Sequence, residues 1–137
     1  MEKAKNQMAM ENKNKFSFSQ VGQFISLQEA QTYIHCYQDD QQKKGEPQED
    51  TVWSELFGKE MLLQILQHAD AVSFCFGKGT DGKMKLVVMG IDPEGRAIIG
   101  TSNAGLKDQL GQSLILANGR TCPPYCLPED VVYVRGE

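Results

Sequence analysis

The spacing of the apolar residues changes at residue 71, from a helical period to an alternation of two. AVSFCFG (71–77) and MKLVVMGI (84–91) have the length and composition of β-strands, and KGTDGK (78–83) between them is rich in turn-forming residues. The tight turn DPEG (92–95) then leads to the strand-like segment RAII (96–99). These segments predict an antiparallel β-meander.

The two longer strands differ in their patterns. Val72, Phe74 and Phe76 share one face of the first strand, which predicts that this face lies against the core. The segment 84–91 is apolar on nearly both faces, so we expect it to be the central strand. Two further strands are predicted, at SLILA (113–117) and, as an edge strand, at VVYV (131–134).

Two helices are predicted upstream of the meander. Ser26 and Glu29 form the S-x-x-E capping box of a helix over about 27–40. The second helix carries a dense apolar set, with a cap at 50–51 and an end near His68. The fold class is therefore α+β, with two N-terminal helices packed on a mostly antiparallel sheet of three to five strands.

Length and composition restrict the partners. A chain of 137 residues predicts one domain, here over 16–137, and residues 1–15 lack large β-branched and aromatic side chains, which predicts a disordered arm. A net charge of −4 argues against nucleic acid as a partner. The sequence contains neither a membrane-spanning apolar run nor a secretory signal, so we expect a cytoplasmic protein that does not enter a membrane.

The most distinctive local pattern is Cys122-Pro123-Pro124-Tyr125-Cys126. It resembles the glutaredoxin-type Cys-Pro-Tyr-Cys motif with one extra proline. The prolines argue against a helix starting here, so the glutaredoxin mechanism does not carry over. A disulfide, a redox sensor, half of a zinc site, a partner-binding loop and plain packing all remain open.

Two weaker candidates complete the set of possible sites. His68, near a helix C-terminus, is the candidate third ligand if the cysteine pair holds zinc; otherwise no cofactor is expected. A polar, glycine-containing stretch is a weak candidate for an anion-binding loop. Its residues are Gly100, Thr101, Ser102, Asn103 and Gly105.

Several segments, taken in order, resemble a family of small uncharacterised proteins from Bacteroidetes-type bacteria. They are ISLQEA, LFGKEMLLQIL, VVMGIDPEGRAII and the closing Cys-Pro-Pro-x-Cys motif, and together they cover about residues 24–126. The resemblance brings no catalytic residues with it.

The sequence favours a non-enzymatic interaction or accessory protein. It has no recognisable catalytic constellation, and its central strand is apolar on both faces, so we expect a homodimer or another protein partner of unknown identity. The alternative is a thiol-dependent redox or metal-binding protein that uses the Cys122–Cys126 loop.

Overall fold

The computed structural model describes residues 17–45, 50–99 and 113–127. Within these ranges the chain forms two α-helices and two antiparallel sheets of two strands each, so the fold class is α+β. The predicted arm (1–15) and last strand (131–134) lie outside the described residues. After one 3₁₀ turn at Phe18–Gln20, the elements are α1 (Leu27–Lys43), β1 (Ser54–Leu56), α2 (Lys59–Leu66), β2 (Ala71–Lys78), β3 (Met84–Ile91) and β4 (Arg120–Cys122).

Helix α1 begins at the predicted capping box. The backbone N–H of Glu29 donates to Ser26 Oγ at 3.1 Å, and the backbone N–H of Ser26 donates to Glu29 Oε1 at 3.4 Å. These two bonds satisfy amides that the first turn of a helix leaves without intrahelical partners. The helix then continues three residues beyond the predicted end, to Lys43.

Helix α2 begins later than the sequence predicts. The expected cap at 50–51 is wrong, because the N-cap is Gly58 and the first helical residue is Lys59. The segment Ser54–Leu56 instead forms β1 and pairs with β4, with Ser54 opposite Cys122 and Leu56 opposite Arg120. Strand β4 ends at Cys122, directly before the two prolines.

The hairpin of β2 and β3 confirms the predicted strands and turn. Gly82 in the turn has φ of 81°, which glycine adopts without steric cost. The predicted core face of β2 is wrong, because Phe74 is 48% exposed and Phe76 is 82% exposed. Ser73 and Cys75, on the other face, are half-buried. Within 71–77 neither face carries a charge, so the alternation there does not distinguish the inner face from the outer one; the only charged residue of β2, Lys78, is its last and lies on the Phe76 face.

The segments 96–99 and 113–117, which are predicted as strands, each form a single β-bridge with β3. Ala97 of the segment 96–99 pairs with Ile91, and Leu116 of the segment 113–117 pairs with Val88. Val88 exchanges both of its backbone hydrogen bonds with Leu116, at 2.8 and 3.0 Å. Strand β3 therefore bonds to a second segment besides β2. The helix packing and a sheet of three to five strands stay predictions.

The chain divides into two compact units. The described residues of unit 1 are 17–22, 58–75, 87–99 and 113–117, and those of unit 2 are 23–45, 50–57, 76–86 and 118–127. The buried apolar side chains of unit 1 are Ile65, Val88 and Ile98; those of unit 2 are Val52 and Cys122, and unit 2 also buries the polar residues Gln38 and Thr51. Among the described residues, no helix has the length and apolarity to cross a membrane.

Candidate functional site

Unit 2 carries a concave apolar surface, here called the apolar groove. Its volume is about 280 Å³. The side chains that line it come from α1, from β1 and the residues before it, and from the ends of β2 and β3 nearest their turn. They are Tyr37, Val52, Trp53, Ser54, Glu55, Phe76, Met84 and Leu86.

Three of the eight side chains that line the groove are aromatic. The rings of Tyr37 and Trp53 meet edge to face, with centroids 6.2 Å apart and planes at 88°. Trp53, the residue before β1, is half-buried. Phe76 is 82% exposed at the same groove. Fully burying a phenylalanine contributes about 1.5–3 kcal/mol, so a partner that covers Phe76 gains substantial free energy.

The Glu55 carboxylate holds backbone segments around the groove. Its Oε1 accepts from the backbone N–H of Leu86 at 2.7 Å, and its Oε2 accepts from the backbone N–H of Gly119 at 2.9 Å. Glu55 thereby ties β1 to β3 and to the residue that precedes β4. Sequence reasoning missed this role, and the one available signal was a lone carboxylate between Trp53 and Phe57.

The Cys122–Cys126 loop continues the chain after β4, and its two cysteines form a disulfide. Cys122 is 2% exposed, whereas Cys126 is exposed. The peptide bonds before Pro123 and Pro124 are cis. The loop residue Tyr125 donates its backbone N–H to the Thr121 carbonyl at 2.9 Å.

The loop also contacts β4 through side chains. Thr121 Oγ1 donates to the Pro123 carbonyl at 3.1 Å. The Arg120 guanidinium lies 5.0 Å from the centroid of the Tyr125 ring, within the range of a cation–π contact. The loop is thus packed back onto the strand that precedes it.

A polar cavity of about 370 Å³ also lies in unit 2. It shares Tyr37, Val52 and Met84 with the apolar groove. Its charged lining residues are two lysines and two aspartates, Lys78, Lys83, Asp50 and Asp81. Because these charges balance, the cavity offers no net attraction for an anion or a cation.

The other predicted site residues belong to unit 1 or lie outside the described residues. His68 is an exposed residue of unit 1, whereas Cys122 and Cys126 belong to unit 2. The candidate anion-binding residues, Gly100, Thr101, Ser102, Asn103 and Gly105, lie outside the described residues. Within 17–45, 50–99 and 113–127, no three His, Cys, Asp or Glu residues form a group that could hold a metal ion. The thiols of Cys36 and Cys75 are free, Cys36 exposed and Cys75 half-buried.

No protein-family model, curated protein sequence or solved structure matches this chain. The resemblance to the Bacteroidetes-type family therefore stays a prediction.

Proposed function

We propose that this protein is a non-enzymatic interaction domain that forms a homodimer through the apolar groove of unit 2. The observation that carries the proposal is the 82% exposure of Phe76 at a groove whose other lining residues are mostly apolar or aromatic. Contiguous exposed apolar surface of this kind is typical of contact sites between proteins. A cytoplasmic location and the absence of a nucleic-acid partner remain part of the proposal.

The form of the surface favours a second copy of this chain as the occupant. In a two-fold symmetric dimer the same patch faces itself, so it must be self-complementary, and a projecting group beside a recess meets this requirement. Phe76 is the projecting side chain and the groove is the recess. The recess has a volume of about 280 Å³, so an inserted side chain has room in it.

Replacing Phe76 tests this contact. We expect Phe76→Ser to weaken the dimer by at least ~2 kcal/mol, roughly thirtyfold in dissociation constant, because each copy loses its inserted ring. Sedimentation velocity over a concentration series measures that constant. Because Phe76 is exposed, we expect the variant to fold as the wild type does.

Phe24 provides the matched control. It is fully exposed, belongs to unit 2 and does not line the groove. Phe24→Ser makes the same chemical change and should leave the dimer unaltered. A wild-type protein that stays monomeric at all concentrations, or an equal loss in both variants, contradicts the proposal.

A second candidate function is thiol exchange at the Cys122–Cys126 loop. The specific observation that favours it is a closed disulfide with an exposed half, Cys126, which an attacking thiolate can reach. Incubation in dithiol buffers of graded potential, followed by thiol alkylation and mass measurement, tests it. Reduction at the potentials of catalytic or regulatory disulfides supports this function, and resistance across that range makes the bond structural.

A further inference from the structure

The disulfide and the apolar groove share backbone contacts. Strand β4 ends at Cys122, and its three residues pair with Ser54–Leu56 of β1. The backbone N–H of Trp53 donates to the carbonyl oxygen of Cys122 at 2.7 Å. Trp53, Ser54 and Glu55 line the groove, so the backbone of β4 supports one side of it.

The residue before β4 strengthens this connection. The backbone N–H of Gly119 donates to Glu55 Oε2, and a side chain at Gly119 would collide with the carbonyl oxygen of Leu56. The chain at 119–122 therefore packs closely along β1 and is fixed to it by hydrogen bonds. A displacement of β4 has to disturb β1.

Strand β4 is only three residues long, and the loop after it adds further links that hold its end in place. The disulfide returns the chain to Cys122 after four residues. The Tyr125 N–H bond to Thr121 and the Arg120–Tyr125 contact hold the loop in the same place. Opening the disulfide releases the covalent link that closes this loop.

The chemical step requires a dithiol reductant. One of its thiolates attacks Sγ of the exposed Cys126, and the Cys122 sulfur leaves with the bonding electron pair and takes up a proton. The second thiol of the reductant then displaces Cys126 from the mixed disulfide. The protein gains two electrons and two protons and becomes a dithiol, while the reductant becomes a disulfide.

We propose that the Cys122–Cys126 disulfide is a redox switch that controls the apolar groove: the closed bond holds β4 against β1 and shapes the groove, and reduction loosens both strands. One part of this inference rests on the proposed function: if the groove forms the dimer, reduction weakens the dimer.

The test uses the full chain with Cys36→Ser and Cys75→Ser, so that only Cys122 and Cys126 respond to a reductant. We expect reduction to raise the dimer dissociation constant at least tenfold, measured by sedimentation velocity. The emission of Trp53, the single tryptophan of the chain, should shift to longer wavelength as the groove opens. Adding Cys126→Ser, a change at an exposed position, should reproduce both effects without a reductant.

Hydrogen exchange read by mass spectrometry separates local loosening from unfolding. Faster exchange confined to β1 and β4 supports the switch, whereas equal acceleration in α2 of unit 1 shows general unfolding and overturns it. Unchanged exchange and Trp53 emission on reduction also overturn it, even if the protein is a dimer. If the oxidised protein is a monomer, the proposed function fails, and Trp53 emission with exchange in β1 still decides whether the switch exists.

Discussion

The two units keep their chain segments together by different means. In unit 1 the buried side chains are aliphatic, and Gly90 is packed so closely that an added Cβ would lie 2.9 Å from that of Ala69 and 3.1 Å from Ile65 Cγ2. In unit 2 the specific links are a disulfide and the Glu55 carboxylate, which binds the amides of two segments distant from it in sequence. The Asp92 carboxylate of unit 1 also accepts from two amides, but only within its own turn.

This difference bears on function. Packing of aliphatic side chains responds little to the redox state of the surroundings, whereas a disulfide with an exposed half can be opened. Unit 2, which contains the disulfide, also carries the exposed Phe76 and the apolar groove. The difference agrees with the proposal that unit 2 makes a contact that reduction can weaken.

The largest expected effect is in unit 1. Ile65 is 4% exposed, so we expect Ile65→Ala to lower the free energy of unfolding by about 2–5 kcal/mol, through lost burial and an unfilled cavity. Urea denaturation measures the loss, which should be the same with and without a reductant. Met61→Ala, at a position 48% exposed on the same helix, is the control. A loss at Ile65 no larger than the loss at Met61 would contradict this view of unit 1.

An intermediate effect is expected at Glu55 in unit 2. Glu55→Gln keeps the shape of the side chain but leaves one oxygen for the two backbone N–H donors of Leu86 and Gly119. One hydrogen bond is lost, so we expect the free energy of unfolding to fall by about 1.5 kcal/mol. Urea denaturation and Trp53 emission should both report the change. Glu94→Gln, at an exposed turn residue of unit 1, should have little effect. Equal effects of the two substitutions would show that the Glu55 bonds do not stabilise unit 2.

The smallest effect is expected at the start of α1. Ser26→Ala removes the oxygen that accepts from the Glu29 N–H and should cost about 1 kcal/mol. Thermal unfolding followed by circular dichroism checks this value. Ser19→Ala, at an exposed serine before the helix, serves as the reference. If Ser19→Ala lowers the stability as much as Ser26→Ala does, the capping box does not account for the effect of Ser26→Ala.

Local patterns account for the parts of the fold that the sequence predicts well. The capping box places the start of α1, and the alternation with a glycine turn places β2 and β3, because these signals lie within a few residues of one another. The pairing of β1 with β4 joins segments about 65 residues apart, so no local pattern predicts it. The apolar residues of 56–66 follow a helical period, which led to the prediction of a helix where the short strand β1 lies.

The candidate site was only partly predictable. The Cys122–Cys126 loop is visible as a motif, but its contact with Trp53 depends on the β1–β4 register. The sequence does not predict that Phe76 faces outward, because the small residues Ser73 and Cys75 on the other face of β2 can also be buried. The role of Glu55 depends on two amides from distant segments, so no local pattern marks it.

The most direct test of the reciprocal contact is native mass spectrometry of oxidised, ¹⁵N-labelled wild type mixed with unlabelled Phe76→Ser. Each wild-type copy contributes one inserted ring, so the heterodimer retains one insertion. We expect the heterodimer dissociation constant to lie near the geometric mean of the two homodimer constants. A heterodimer as stable as the wild-type homodimer, or a wild-type protein without a dimer, would contradict the reciprocal insertion of Phe76.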